Sequence, residues 1–352
     1  MSFIIVDSKD KKIVKSKNYN YVFDKKTGRF ARWGKDMQDD PQYAPFPEIL
    51  DIEITKSCGG IPDENGVEAP CKFCYKSNIP GRESMSFETF RTIFDKFEIE
   101  VDGKKINPLN QIALGSDATG LINPDLFKMM EYTRSKGVVP NITLANISEE
   151  VADRLIPLVG AVAVSRYKNK AICYDSVKRL TDRGMRQVNI HQLVSAETIE
   201  DAKQTILDKV NDPRLAKLNA IVFLSVKRKG RGVGYNPVDF DKYKELVYMA
   251  LEHGVGFGMD SCSAHKFLRA IHDHPDYKQM ETMVEPCEAA CFSSYINTFG
   301  EYFGCSFGEK KGQGVDVLQY KTFAEVWYHK YTKDFRERLI NNNRNCILFD
   351  EI

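Results

Sequence analysis

The chain lacks a long hydrophobic run. Its longest apolar stretch, residues 155–164, stops far short of the roughly 20 residues that a membrane span needs. It also lacks a charge excess. Fifty Lys and Arg stand against 49 Asp and Glu, a net charge of +1. No field of one sign therefore points to a nucleic acid or a membrane as partner. No internal repeat and no low-complexity tract is visible, which speaks against a solenoid. The segment Met1 to Asp7 has neither the basic start nor the apolar core of a secretory signal, so the expected compartment is the cytoplasm. What is present is a chain of 352 residues, 42% hydrophobic and 28% charged. That suits a globular protein of one large or two modest domains, burying about three quarters of its unfolded surface. Nine cysteines without an export signal point to reduced thiols and metal rather than disulfides.

Three of those cysteines organise the chain. An alternating apolar run over 49–55 reads as a strand. It leads into a loop rich in glycine and proline that carries Cys58, Cys71 and Cys74. Two residues separate Cys71 from Cys74, the spacing at which two sulfurs reach one metal centre, and Cys58 precedes them by twelve intervening residues. A closed zinc site takes four ligands, and an ordinary iron–sulfur cluster takes four cysteines. Three thiolates leave one metal position open. A zinc knuckle completed by a distant fourth ligand is the alternative.

The segment Cys71-Lys72-Phe73-Cys74 resembles the signature of the radical S-adenosylmethionine (radical SAM) superfamily. That signature is a cysteine triplet spaced by three and then two residues, after the first barrel strand, with an aromatic before the last cysteine. The second spacing matches; the first is twelve residues instead of three, which reads as an insertion. Its acidic part, residues 63–68, reads as a solvated loop, with a lid over SAM as the alternative. The resemblance implies a [4Fe-4S] cluster whose fourth iron is chelated by SAM. It also implies that Phe73 and Tyr75 shield the cluster and flank SAM.

Strands and helices alternate after residue 47, the pattern of βα units on a parallel sheet. Strands are expected over 49–55, 111–114, 138–144, 161–164, 187–193 and 220–226, with a terminal strand over 255–260. Ser86 is a good N-cap, and Phe87, Phe90, Phe94 and Phe97 recur at helical spacing as core. Asn123-Pro124 should open a helix. The expected fold is α/β: a partial (β/α)6 TIM-like barrel, with a short N-terminal β-hairpin built from 19–23 and 30–33 and a C-terminal cysteine-rich α+β extension. The expected domains are 1–46, 47–270 and 271–352.

Chemistry in such barrels sits at the C-terminal ends of the strands. The second strand ends in Gly115-Ser116-Asp117. The resemblance implies that this turn binds SAM, with Asp117 facing its ammonium; an ordinary Gly/Asp turn is the alternative. The fourth strand ends in Ser165-Arg166, and a guanidinium suits the SAM carboxylate. Asn189 and His191 alternate to one side of the fifth strand and are candidates for SAM or substrate, His191 being otherwise structural. Residues 227–232 form a basic run that reads as a solvated turn or as one or two cations facing an anionic group. Asp260 and Cys262, at the last strand's end, are the catalytic candidates, as acid/base groups or a tether. The alternative is a turn aspartate and a half-buried thiol. Cys173 reads as structural.

A second cysteine set follows: Cys287, Cys291, Cys305 and Cys346. Cys291, Gly300 and Cys305 resemble the auxiliary-cluster extensions of radical SAM enzymes called SPASM and twitch, and 322–327 resembles the helix that follows there. The resemblance implies one closed auxiliary [4Fe-4S] cluster on these four cysteines, with Cys262 able to replace Cys287. The implied activity is reductive cleavage of SAM to a 5′-deoxyadenosyl radical that abstracts a substrate hydrogen. Oxidative modification of a peptide or protein is the leading use. A radical dehydrogenase or rearrangement enzyme acting on a sugar or nucleoside comes next, and a zinc-stabilised barrel used for binding belongs to another class. An electron donor such as flavodoxin or ferredoxin is the further partner; no nucleic acid or membrane partner is expected.

Overall fold

A computed structural model describes residues 3–350. Met1, Ser2, Glu351 and Ile352, at the ends of the two outer segments, lie outside it. The chain starts with an antiparallel sheet of four strands in order: β1 (Ile4–Asp7), β2 (Lys11–Lys15), β3 (Asn20–Asp24) and β4 (Phe30–Trp33). The expected hairpin is its second half. The first half escaped notice because β1 is only four residues long and charges outnumber apolar residues in β2, where only Ile13 and Val14 mark the strand.

A ten-stranded sheet forms the body. Seven strands run parallel and neighbour one another in chain order: β5 (Ile49–Glu53), β6 (Gln111–Gly115), β7 (Val139–Leu144), β8 (Val162–Arg166), β9 (Val188–Val194), β10 (Ala220–Ser225) and β11 (Phe257–Met259). Beyond β5 the sheet continues with β12 (Ser293–Ile296), parallel to β5, and then β13 (Glu301–Phe303) and β14 (Val315–Asp316), both antiparallel. The sheet is open, with β11 at one edge and β14 at the other. The cysteine-rich C-terminal part thus adds strands to the same sheet.

Alternation explains the layers. In β9, Val188, Ile190, Gln192 and Val194 are buried, while Asn189, His191 and Leu193 face the other side. In β5 the buried Leu50 and Ile52 join the main core, and Asp51 and Glu53 project oppositely. Helices cover the apolar face: α1 (Phe87–Asp95), α2 (Leu126–Ser135), α3 (Glu149–Leu155), α4 (Lys170–Asp182), α5 (Ile199–Asn211) and α6 (Phe240–Glu252). Phe90 and Phe94 of α1 are fully buried, and Ser86 caps the helix by accepting from Thr89 N at 3.2 Å. Helix α2 starts two residues beyond the expected Asn123-Pro124. The Asn123 side chain is spent on the carbonyls of Ile54 and Met85 and on Asp125 N. Short helices α7 (Ala264–Ala270), α8 (Tyr277–Glu281) and α9 (Phe323–Trp327), then α10 (Lys330–Asn341), complete the chain. Among the described residues no helix is long and apolar enough to cross a membrane.

The N-terminal sheet closes the N-terminal ends of the parallel strands. Buried Lys12 donates to Asn107 O at 2.7 Å, and Tyr21 Oη donates to Pro108 O at 3.0 Å, both just before β6. Arg32 Nη1 lies 3.0 Å from Glu48 Oε2, just before β5. The opposite, C-terminal ends are left free for a site.

Candidate functional site at the strand ends

A cavity of about 660 Å³ opens at the C-terminal ends of the parallel strands. Loops after β5, β6, β8, β10 and β11 contribute to its wall, and so does the turn after β13. Cys58, Cys71, Phe73, Cys74, Tyr75, Gly115, Ser116, Asp117, Ser165, His191, Asp260 and Cys262 all line it, together with Cys287 and Cys305.

The twelve-residue spacing between Cys58 and Cys71 has a structure. Ile61–Pro62 pairs antiparallel with Glu68–Ala69, and the Asp63 carboxylate turns the tip by accepting from Asn65 N and Val67 N. Folding back on itself returns Cys71 to the neighbourhood of Cys58. Ile61 is buried against Ala118 and Ala145, so only the tip is solvated. Gly60 has φ +84°, and a Cβ there would stand 2.1 Å from Ala69 O; only glycine fits.

The basic run after β10 is not a solvated turn. Arg231 donates to Cys71 O at 2.8 Å and to Asn78 O at 3.0 Å, and its backbone N donates to Cys74 O at 3.0 Å. Lys229 Nζ reaches Phe307 O at 2.8 Å and Glu309 O at 2.9 Å, in the loop after Cys305. Lys227 pairs with Asp260. Each of these three cations holds a loop that carries a cysteine, while Arg228 between them is exposed.

The thiols are crowded. Burial pushes the Cys71 thiol up to about 11, and the neighbouring Cys58 and Cys74 push the same way. Burial raises Cys58 too. An iron centre suits such a set, because positive charge relieves both effects. Phe73 packs against Tyr167 with ring centroids 5.1 Å apart, and against Tyr235 at 5.9 Å. Tyr75 packs on Phe307 at 4.4 Å, which brings the residue after Cys74 onto the turn that follows Cys305.

Asp117 serves its own turn. Its Oδ1 accepts from Thr119 N at 2.7 Å, Thr119 Oγ1 at 2.6 Å and Gly120 N at 3.0 Å, and its Oδ2 accepts from Ile122 N and Ser116 Oγ at 3.2 Å. Those five donors fill the acceptor sites of a carboxylate, so an ammonium would find Ser116 rather than Asp117. Ser165 faces the cavity, whereas alternation turns Arg166 to the helix side, 3.5 Å from Asp201 of α5. Asn189 shares the face of His191 but sits one layer deeper, where Asn219 donates to it at 2.8 Å. Neither Arg166 nor Asn189 reaches the cavity. Burial lowers the His191 pKa to about 4 against the pull of Asp260, which leaves a neutral imidazole at physiological pH. Asp260 also accepts from Ser263 N at 3.1 Å.

The second set gathers differently from the sequence reading. Cys262, Cys287, Cys305 and Cys346 line one narrow pocket, closed on its far side by Phe335, Leu339, Leu348 and Phe349. Burial pushes the Cys262, Cys287 and Cys305 thiols up to about 12 each, and other cysteines of this set add to the rise. Cys291 is fully buried but outside that wall; Arg344, Arg336, Arg32 and Glu288 act on its thiol, and it is close enough to Cys287 to raise that thiol in turn. Cys262, a catalytic candidate in the sequence and there also a possible replacement for Cys287, thus shares this pocket with Cys287, Cys305 and Cys346, whereas Cys291 does not line it. Cys173 is fully buried in α4, as expected. Among the described residues no three Cys, His, Asp or Glu side chains form a group that could hold a metal ion.

Lys76, Tyr295, Asp51 and Glu53 were missed, and Lys229 and Arg231 were noticed only as part of the basic run. The signal for Asp51 and Glu53 was a pair of acids in mid-strand of a parallel sheet, where both faces are normally covered.

No protein-family model and no curated protein matches the sequence. Among solved structures the chain is similar to Streptococcus suis SuiB bound to precursor peptide SuiA, with TM-score 0.68 and 11% identity over 95% of this chain and 90% of that one. It is similar to a second structure of SuiB, with TM-score 0.65 and 11% identity over 94% and 90%. A third, of SuiB bound to S-adenosylmethionine, gives TM-score 0.59 and 12% identity over 83% of this chain and 68% of that one. At such identity the likeness shows a shared fold, the α/β fold that the first cysteine loop implied.

Proposed function

We propose that this chain is a radical SAM enzyme with one auxiliary iron–sulfur cluster, and that it oxidatively modifies a peptide. The observation that carries the reading is the shared cavity. Three thiols of the first loop and three of the four in the second set open onto one space at the C-terminal ends of the parallel strands. The chain-order neighbourhood of β5 to β11 supports a partial barrel over 47–270, preceded by the segment 1–46 and followed by a twitch-like extension over 271–352. SuiB has been solved with its precursor peptide, and the shared fold supports a peptide here. A donor such as flavodoxin or ferredoxin and a cytoplasmic setting complete the reading.

Cys58, Cys71 and Cys74 are the residues to hold the first cluster, and Cys262, Cys287, Cys305 and Cys346 the second. When bound, the first cluster would supply the electron that splits SAM into methionine and a 5′-deoxyadenosyl radical. The chain's residues bind, orient and exclude water. Phe73, Tyr167 and Tyr235 wall the first loop. Ser116, Ser165 and the neutral His191 offer hydrogen bonds without charge. The Lys227–Asp260 pair positions Cys262 and leaves Asp260 no free role as a base.

Anaerobic reconstitution tests the reading. About eight irons per chain are expected for two four-iron clusters, with half lost when Cys58, Cys71 and Cys74 become alanine. 5′-Deoxyadenosine should form from SAM under a strong reductant. A colourless protein holding zinc, with no 5′-deoxyadenosine, overturns it.

A further inference from the structure

One carboxylate in the cavity wall has no partner. Asp51 lies in mid-β5, level with Ala113 of β6 on one side and Tyr295 of β12 on the other, and it lines the cavity. The other cavity acids are engaged. Glu53 faces Lys76 at 3.4 Å and accepts from Thr298 Oγ1 at 3.0 Å. Asp117 holds its own turn, Asp260 pairs with Lys227, and Glu288 lies 3.7 Å from Arg32. Among the described residues no cation and no hydrogen-bond donor meets Asp51.

Ala113 beside it contributes only a methyl group, so cavity space extends to the carboxylate. Asp51 is exposed to the open cavity, and the protein atoms around it push its pKa up to about 6, with no neighbouring charge acting on it. The group is therefore mostly ionised at neutral pH. A carboxylate that faces a concave cavity and has no partner in the protein is a natural contact for a ligand's positive charge. Asp51 lies one side-chain layer below the level of Glu53 and Gly115, about 7 Å deeper along the strands. It is that much further from the loop that carries Cys58, Cys71 and Cys74.

We propose that Asp51 anchors a cationic group of the substrate, the ammonium or guanidinium of a lysine or arginine side chain in a peptide, at the cavity floor. This rests on the reading of the cavity as a radical SAM site and adds what that site selects. A substrate held there by its charged end presents the carbons of its stem to the space beneath the first cysteine loop.

The test is binding to the full-length, anaerobically reconstituted protein, by equilibrium dialysis. The probes are the N-acetyl methylamides of lysine, arginine, norleucine and glutamate. Lysine and arginine probes should bind about tenfold or more tighter than norleucine, a difference of about 1.4 kcal/mol. Asp51→Asn should abolish that preference, and Asp51→Glu should keep part of it. Iron content and SAM binding of Asp51→Asn should equal those of the unaltered chain and its melting temperature should not fall, which separates a lost anchor from a lost fold. Three results overturn the proposal: no charge preference in the unaltered chain, a preference that survives Asp51→Asn, or a loss of SAM binding in Asp51→Asn. The last would assign the carboxylate to the SAM ammonium. Failure of the radical reading shows separately, as missing iron and missing 5′-deoxyadenosine in the unaltered chain.

Discussion

The Arg231 guanidinium donates from Nε to the carbonyl oxygen of Cys71 at 2.8 Å. The same fork reaches Asn78 O at 3.0 Å, so one side chain from the loop after β10 spans the last part of the cysteine loop after β5. Planarity makes this possible, and the compact ammonium of lysine cannot copy it. A hydrogen bond to a charged donor contributes about 1.5–3 kcal/mol. Arg231→Lys should therefore loosen the first loop without unfolding the protein. The expected outcome is a loss of up to half the reconstituted iron, with the second set still loaded. Iron counts beside a far-ultraviolet melt check it, and full iron in Arg231→Lys would refute the clamp.

Gly60 sets a second requirement on the same loop. Its φ of +84° and the 2.1 Å between a built Cβ and Ala69 O leave no side chain acceptable. The strain of a left-handed non-glycine residue is about 1–2 kcal/mol, and the overlap with backbone adds to it. Gly60→Ala should open the hairpin 61–69 and separate Cys58 from Cys71. Iron should fall as it does in Cys58→Ala, and limited proteolysis should cut within 60–70, where the unaltered chain resists.

The βα alternation, the strand ends and the first cysteine loop were legible in the sequence, because each rests on a local pattern. Strand β9 shows its two faces in seven residues, and Cys71-Lys72-Phe73-Cys74 carries its spacing openly. What stayed hidden depends on distance in the chain. Arg231 and Cys71 are 160 residues apart, and Lys229 and Phe307 are 78 apart, so a basic run that clamps two loops looks the same as a solvated one. Arg166 was misplaced by one step of alternation, since its neighbour Ser165 takes the inward position. Asn189 has the right face but the wrong depth, and depth follows from the register of β9 against β10, which sequence does not show. Asp117 was read as a ligand because a Gly/Asp turn that binds and one that merely folds have the same residues.

The second cysteine set gives a sharper case. Cys291 fits the spacing to Gly300 and Cys305, yet it is buried beside Arg336 and outside the wall shared by Cys262, Cys287, Cys305 and Cys346. Cys291→Ala should keep all the iron, with a modest loss of stability from the small cavity left behind, about 1 kcal/mol. Serine at Cys262, Cys287, Cys305 or Cys346 should each remove up to half. The five single variants, scored by iron and by the absorption of the reconstituted protein, decide between the two ligand sets. Iron lost in Cys291→Ala and kept in Cys262→Ser would restore the spacing-based one.

Glu48 makes stability depend on pH. It is buried behind β5, accepting from the Tyr19 hydroxyl and from Arg32 Nη1 at 3.0 Å. Burial pushes its carboxyl up to about 7, although Arg32 and Tyr19 pull the other way. In the unfolded chain the same group titrates near the ordinary value of about 4.3. Between these two values the folded chain holds a proton that the unfolded chain has released. The stabilisation is thus fully present below about pH 4.3 and is lost as pH rises through about 7. The full span amounts to roughly 3 kcal/mol. Other groups titrate over the same range, so the informative quantity is the difference between the unaltered chain and Glu48→Gln, whose amide does not ionise. That difference in melting temperature should shift against the unaltered chain from pH 5 to pH 8 and level off above it. Parallel melting profiles across the range would mean that Glu48 is already ionised beside Arg32 in the folded state, with the ion pair outweighing burial.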